Sequence, residues 1–384
     1  MHRLLPFVAL LTAGCPASPD PSPLVNGQVI DAAAMRQAME DFADGARLPG
    51  LATCVFTVEA TNWCDGVGLL DPTRDALVDA DSAFLIASVS KMVTAAAALA
   101  AVEEGVLELS AAVSQHADFV LEHPSNNAIT TRQLLQHTGA IADSAAMDNY
   151  YTYGADPEIS LDEAVRRYFD PSGADYNADT NFLDQTPGEA FAYSNMGSAL
   201  AGWVVERATD TDFDAWTAQK LFTPLSLTNT SWWLSDFNEE TLAMPSEWVN
   251  GTWEPYGQYS FSDYPNGGLR TSANDLARFG RMLLRDGELD GVRVLTAPSL
   301  QEMTMADLDD GEGGGVGLGW FTSSELPQGW GGHDGGEAGA LSALYLHRAQ
   351  GVGVLYLANG DGEDDDARTA FEATLLATAE ALAK

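Results

Sequence analysis

The chain has 384 residues, 46% of them hydrophobic, with 56 acidic against 18 basic side chains and a formal net charge of −38. This is enough apolar material for a packed core in one large domain or two, and the aromatic residues spread along the length exclude a disordered or repetitive protein. The charge repels nucleic acid and anionic lipid. It reads as a solvated acidic coat suited to a salty medium, in preference to a site for a specific cationic partner.

Met1-His2-Arg3 ahead of an apolar segment through Leu11 reads as a signal peptide over residues 1–14. The stretch Leu11-Thr-Ala-Gly-Cys15 resembles the lipobox of bacterial lipoproteins. That resemblance implies lipidation of Cys15, with the Pro-rich residues 15–25 as a stiff tether. The expected location is the cell envelope, with membrane contact only through this anchor. No apolar run reaches the roughly 18 residues that span a bilayer.

Asp31 caps a predicted helix with Met35, Met39, Phe42 and Ala46 on one face. Residues 51–59 and 62–69 read as strands joined by a turn, with Cys54 and Cys64 on facing runs. In an exported protein a disulfide is expected there, two buried free thiols being the alternative; no nearby histidine supports a metal site. A long, mainly helical section follows. Ser160-Leu-Asp-Glu163 is a capping box opening residues 161–169, and Thr211 and Ser272 mark helix starts for 212–222 and 274–284. Residues 339–347 and 351–359 read as a strand pair, and 366–382 as an amphipathic helix. The expected class is α/β (α+β): one sheet built from both chain ends (residues 26–87 and 265–384), terminal helices over it, and a helical part (88–264) inserted between.

Chemistry concentrates in three places. Only three lysines occur, and Lys91 alone lies in an apolar stretch. In Ser88-Val-Ser-Lys91, at the start of an Ala-rich helix, residues three apart share a face, so amine and hydroxyl can meet. A serine hydroxyl is a weak nucleophile until a base takes its proton, and the helix N-terminus favours an oxyanion. Tyr193-Ser-Asn195 supplies a phenol able to relay a proton beside a cation, and an amide able to hold a lysine or a substrate carbonyl. His333-Asp-Gly335 lies in a glycine-rich run beside a strand, where backbone must let something approach closely.

Taken together and in this order, the three motifs resemble those of the β-lactamase-related serine hydrolases, which include class C β-lactamases, DD-carboxypeptidases, D-amino-acid peptidases and esterases. Residues 130–139, 187–195 and 267–279 resemble the family's framing segments, and the likeness runs from about residue 32 to the end. It implies a β-lactamase/transpeptidase-like fold: an antiparallel sheet flanked by terminal helices, with an inserted helical subdomain. It also implies that the backbone N–H groups of Ser88 and Gly336 receive the oxyanion. Two departures stand out. His137-Thr-Gly-Ala140 lacks the family's serine and reads as a structural loop near the site. His333-Asp334 replaces the Lys-Thr that receives a substrate carboxylate in β-lactamases, and Asp334 would work against an anion.

The acidic loops at 307–312 and 361–366 do not follow calcium-loop spacing and read as solvated, and His116, His123 and His347 have no visible partner. No metal and no cofactor is expected. The expected activity is acyl transfer to water on a small-molecule or short-peptide substrate: an ester, an amide or a D-amino-acid peptide. The rivals are a β-lactamase or D-Ala-D-Ala carboxypeptidase, and a penicillin-binding sensor lipoprotein that does not turn over.

Overall fold

The structure, a computed structural model, describes residues 24–25, 28–362 and 364–383. The expected signal peptide, Cys15 and most of the tether lie outside these residues. No described helix is long and apolar enough to cross a membrane.

Helix α1 (Ala32–Gly45) begins where the Asp31 carboxylate accepts the Ala34 amide at 3.0 Å. Its buried face, Met35, Met39 and Phe42, meets the C-terminal helix, where Phe42 stacks on Phe371 at 4.8 Å. Strands β1 (Gly50–Thr57), β2 (Thr61–Asp71) and β3 (Ala76–Leu77) follow. From the far end of the chain come β4 (Leu308–Asp309), β5 (Gly315–Val316), β6 (Phe321–Thr322), β7 (Gly331–Glu337), β8 (Ala340–His347) and β9 (Val352–Ala358). They form one nine-stranded sheet, β4-β5-β6-β7-β8-β9-β1-β2-β3, antiparallel throughout.

The sheet is buried on both faces, so its central strands read as unbroken apolar runs. Leu341, Ala343 and Tyr345 of β8 face the terminal helices, while Leu344 and Leu346 face the helical part. Cys54 and Cys64 lie opposite each other in the β1–β2 register, and their sulfurs are bonded.

The helical part is built on α2 (Ser90–Glu103), buried on nearly every side and packed against the later helix Asn195–Thr209. Its alanines let neighbouring helices approach closely. Between these two, helix α3 (Leu161–Phe169) starts at Ser160, whose hydroxyl accepts the Glu163 amide. Only this half of the expected box forms, because the Glu163 carboxylate pairs with Arg167 instead. The helix Asn195–Thr209 is α4. Thr211 does not cap the next helix: its hydroxyl donates to the Thr209 carbonyl, and Phe213–Thr217 runs into a wider π turn at Ala218–Phe222. The Ser272 hydroxyl does cap α5 (Ala273–Leu284), and α6 (Asp365–Leu382) closes the chain.

This part is less helical than expected. Tyr151–Tyr153 pairs with Tyr259–Phe261, and Ser246–Val249 forms a hairpin with Thr252–Pro255. Asn250 and Gly251 turn that hairpin at φ 51° and 93°, the positive angles that an Asn-Gly turn supplies.

Candidate active site

Ser88 sits at a junction. The chain arrives along Ala83–Leu85, paired with Arg270–Ser272, and turns through a 3-10 segment, Ala87–Val89, before α2 begins at Ser90. Ala87 has φ 43°, the left-handed region, which costs a residue with a Cβ on the order of 1 kcal/mol. Strand β7 presses against this turn. A Cβ added to Gly335 would lie 2.6 Å from the Ile86 carbonyl oxygen and 2.9 Å from the Ser88 nitrogen. The glycine-rich run is therefore itself the strand, and glycine is there because the backbone from Ile86 to Ser88 occupies the space a side chain would need.

Lys91 is 2% exposed. Its Nζ donates to Ser88 Oγ at 3.0 Å, Asn195 Oδ1 at 2.7 Å and the Asn266 carbonyl at 2.6 Å, which uses all three ammonium protons. No carboxylate among the described residues pairs with it. Burial brings its pKa down to about 7, against the upward pull of Asp143, Asp263, Glu337 and Asp334. Near neutral pH a large fraction of Lys91 is thus unprotonated, and the 3.0 Å contact can then run from the Ser88 hydroxyl to the amine.

The Tyr193 hydroxyl reaches the same Ser88 Oγ at 2.9 Å. The Tyr193 side chain is 40% exposed, yet the surroundings of its hydroxyl push the phenol above its usual value, chiefly by desolvation. The phenol keeps its proton at neutral pH. Its ring lies 4.9 Å from Lys91 Nζ and stacks on His137 at 4.3 Å. His137 is buried, and its Nδ1 accepts the Ser194 amide at 3.1 Å, so the segment expected as a loop near the site forms the floor under Tyr193.

Two positioning groups escaped the sequence reading. Asp143 accepts the Ser194 hydroxyl (3.0 Å) and the Asn195 (2.8 Å) and Met196 (3.0 Å) amides, which ties the Tyr193–Asn195 segment to the start of α4. Asp263 accepts the Asn266 side-chain amide at 2.8 Å, and the Asn266 carbonyl holds Lys91. Burial raises the Asp263 carboxyl to about 7. Neither aspartate falls in a motif; Asp143 acts through groups about fifty residues on, and Asp263 acts through its near neighbour Asn266, whose carbonyl meets the distant Lys91.

His333 is 5% exposed, and burial together with Lys91 pushes its pKa down, so the imidazole is neutral. Its Nδ1 lies 2.5 Å from the Asp334 carbonyl, which assigns the proton to Nδ1 and leaves the buried Nε2 an acceptor with no hydrogen-bond partner. Asp334 does not enter the cleft. It pairs with Ala343 and lies on the sheet face of the terminal helices, 63% exposed, whereas His333 pairs with Leu344 and Gly335 with Ser342 on the Ser88 face. Of the two faces that strand alternation leaves open to Asp334, it takes the one away from Ser88, so it does not oppose a bound anion by contact. The carboxylate on the Ser88 face is Glu337, which accepts the Tyr151 hydroxyl at 2.9 Å. A Cβ on Gly336 would meet nothing within 4 Å.

His116, His123 and His347 take no part in this cluster. His123 contacts Ser125 Oγ and the Leu183 carbonyl, His347 packs on Trp330, and burial lowers the pKa of His116.

A family model described as Beta-lactamase matches residues 35–379. Penicillin-binding protein 4 of Amycolatopsis lactamdurans is 30% identical over 327 residues, 82% of this chain and 81% of that protein. Protein Rv1367c of Mycobacterium tuberculosis is 28% identical over 298 residues, 71% of each. Among solved structures, a D-stereospecific amidohydrolase from Streptomyces sp. aligns with TM-score 0.68 at 24% identity, over 89% of this chain and 98% of that one.

Proposed function

Because the chain belongs to the Beta-lactamase family, we propose that it is a serine hydrolase that works through an acyl-enzyme on Ser88. The observation that carries this reading is the convergence of Lys91 and Tyr193 on one oxygen, with Lys91 held near neutrality. Ser88 attacks the substrate carbonyl while its proton passes to the Lys91–Tyr193 pair. The backbone N–H groups of Ser88 and Gly336 receive the oxyanion. The phenol, protonated at neutral pH, returns a proton to the leaving group, and water then cleaves the acyl-enzyme.

The substrate class is an ester, an amide or a D-amino-acid peptide, in preference to a penicillin or cephalosporin. A β-lactam brings a carboxylate, and the strand beside the nucleophile offers a neutral imidazole at His333. Opposed or missing charge at contact range costs on the order of a kcal/mol, about tenfold in affinity. Export and a lipid anchor at Cys15 complete the proposal.

The test is a panel of aryl esters, D-amino-acid anilides, D-Ala-terminal peptides and a chromogenic cephalosporin, with the intact mass followed for an adduct. Turnover of at least one neutral ester or amide, lost in Ser88→Ala, is the expected result. Equal turnover by Ser88→Ala removes the mechanism. A stable adduct without turnover replaces the hydrolase with a binding protein.

A further inference from the structure

The face of β7 on the Ser88 side presents acceptors and no cation. From one end to the other it carries His333, Gly335 and Glu337 on the same side of the sheet. His333 Nε2 is buried and without a hydrogen-bond partner. Glu337 is two residues past Gly335, which itself packs on the Ser88 amide, so at about 3.4 Å per residue its backbone is about 7 Å further along the strand. That spacing is about two residues of an extended chain, so one substrate residue together with the Glu337 side chain can span it.

Glu337 is fixed from two sides. One oxygen accepts the Tyr151 hydroxyl at 2.9 Å, and the other accepts the Ala338 amide at 3.0 Å. Each carboxylate oxygen has a second acceptor position, and a half-buried anion that pairs with no cation among the described residues gains most from a positively charged partner. Tyr151 is held in turn by the pairing of Tyr151–Tyr153 with Tyr259–Phe261, and it packs against the cluster of Leu85, Tyr259, Phe261 and Ala340, whose Leu85 lies just ahead of the Ser88 turn.

We infer that Glu337, braced by Tyr151, recognises a positively charged amine on the substrate, and that the preferred substrates are cationic esters or amides. The inference rests on the serine hydrolase reading and deepens it. A substrate ammonium beside the Ser88 turn meets the Glu337 carboxylate at one end of the strand face, while the neutral, buried His333 imidazole, four residues back along the strand, offers no charge to oppose it. A substrate carboxylate meets neither a lysine nor an arginine on this strand. The net charge of −38 adds a long-range field of the same sign, which salt screens while a direct contact persists.

The test uses the full chain and two matched pairs of substrates, one for each side of the scissile bond. D-Alanine 4-nitroanilide against its N-acetyl form places the charge on the acyl side. Butyrylthiocholine against its uncharged 3,3-dimethylbutyl thioester isostere places it on the leaving side. The readout is the kcat/KM ratio of cationic to neutral member, in about 1 M salt, where the Debye length is about 3 Å. A preference of about tenfold or more is expected in at least one pair, lost in Glu337→Gln, whose amide can still accept from Tyr151. Asp334→Asn removes the same charge from the opposite sheet face and is expected to leave the ratio in place. The inference is overturned by a ratio near one in both pairs, by a Glu337→Gln ratio equal to wild type, or by Asp334→Asn lowering the ratio as much. If no substrate is turned over above the Ser88→Ala background, the hydrolase reading itself fails, a result distinct from turnover without charge preference.

Discussion

Gly335 and the Ser88 amide share one space: a methyl on Gly335 would sit 2.9 Å from the Ser88 nitrogen and 2.6 Å from the Ile86 carbonyl oxygen. Both are backbone atoms, so nothing at the far end of a flexible side chain can give way. Gly335→Ala must push β7 away from the nucleophile turn. Misplacing reacting groups by about 1 Å costs about a hundredfold in rate. We expect kcat/KM for a neutral aryl ester to fall by about that factor in a variant that still melts cooperatively. Gly336→Ala, whose Cβ faces open space, is expected to melt at the wild-type temperature. A Gly335→Ala enzyme as fast as wild type would show that the contact between strand and nucleophile has no part in catalysis.

Asp143 links stability to the site. It accepts two backbone amides at the start of α4 and the Ser194 hydroxyl, so it caps the helix that carries Asn195. Losing such a cap costs about 0.5–2 kcal/mol. Asp143→Ala is expected to lower Tm accordingly and to lower kcat more than KM rises, since Tyr193 and Asn195 are displaced while the cleft walls stay. Asp143 also raises the Lys91 pKa, so its removal moves the acidic limb of the rate profile to lower pH. A lower Tm with an unmoved limb and unchanged kcat would reduce Asp143 to a purely structural cap.

What the sequence made legible follows from periodicity and local chemistry. Ser88, Lys91 and Tyr193 meet because a turn of helix and one long-range approach suffice, and residues three apart on a helix need no further information. Helix caps at Asp31, Ser160 and Ser272 are local and form. Asp143 was illegible because its partners are brought in by tertiary folding, and Asp263 because its local contact with Asn266 gains meaning only when the Asn266 carbonyl meets the distant Lys91. The faces of Asp334 and Glu337 could not be assigned, because alternation fixes only their relative sides and the strand's register sets which side meets Ser88. The Asn250-Gly251 turn was legible in principle; its signal was lost within a stretch read as helical.

Lys91 makes stability and activity depend on pH in linked ways. Burial lowers its folded pKa to about 7, against 10.5 for the free side chain. Between those values the unfolded chain binds a proton that the folded chain does not, so stability from this group rises as pH rises from about 7 towards 10.5. The slope approaches about 1.4 kcal/mol per pH unit at most. Lys91→Met lacks the ionisation, so the wild-type Tm is expected to gain on the variant's as pH goes from about 7 to about 10. The same deprotonation frees the amine to accept the Ser88 proton, so kcat/KM is expected to climb through an apparent pKa near 7. The Tyr193 phenol, raised by burial, adds no falling limb below the usual tyrosine range. Melting curves and kcat/KM across that window check both halves. A rate that falls as pH rises through 7 would mean that the protonated lysine is the active form, and Lys91 would then have to be read as an acid or an electrostatic clamp.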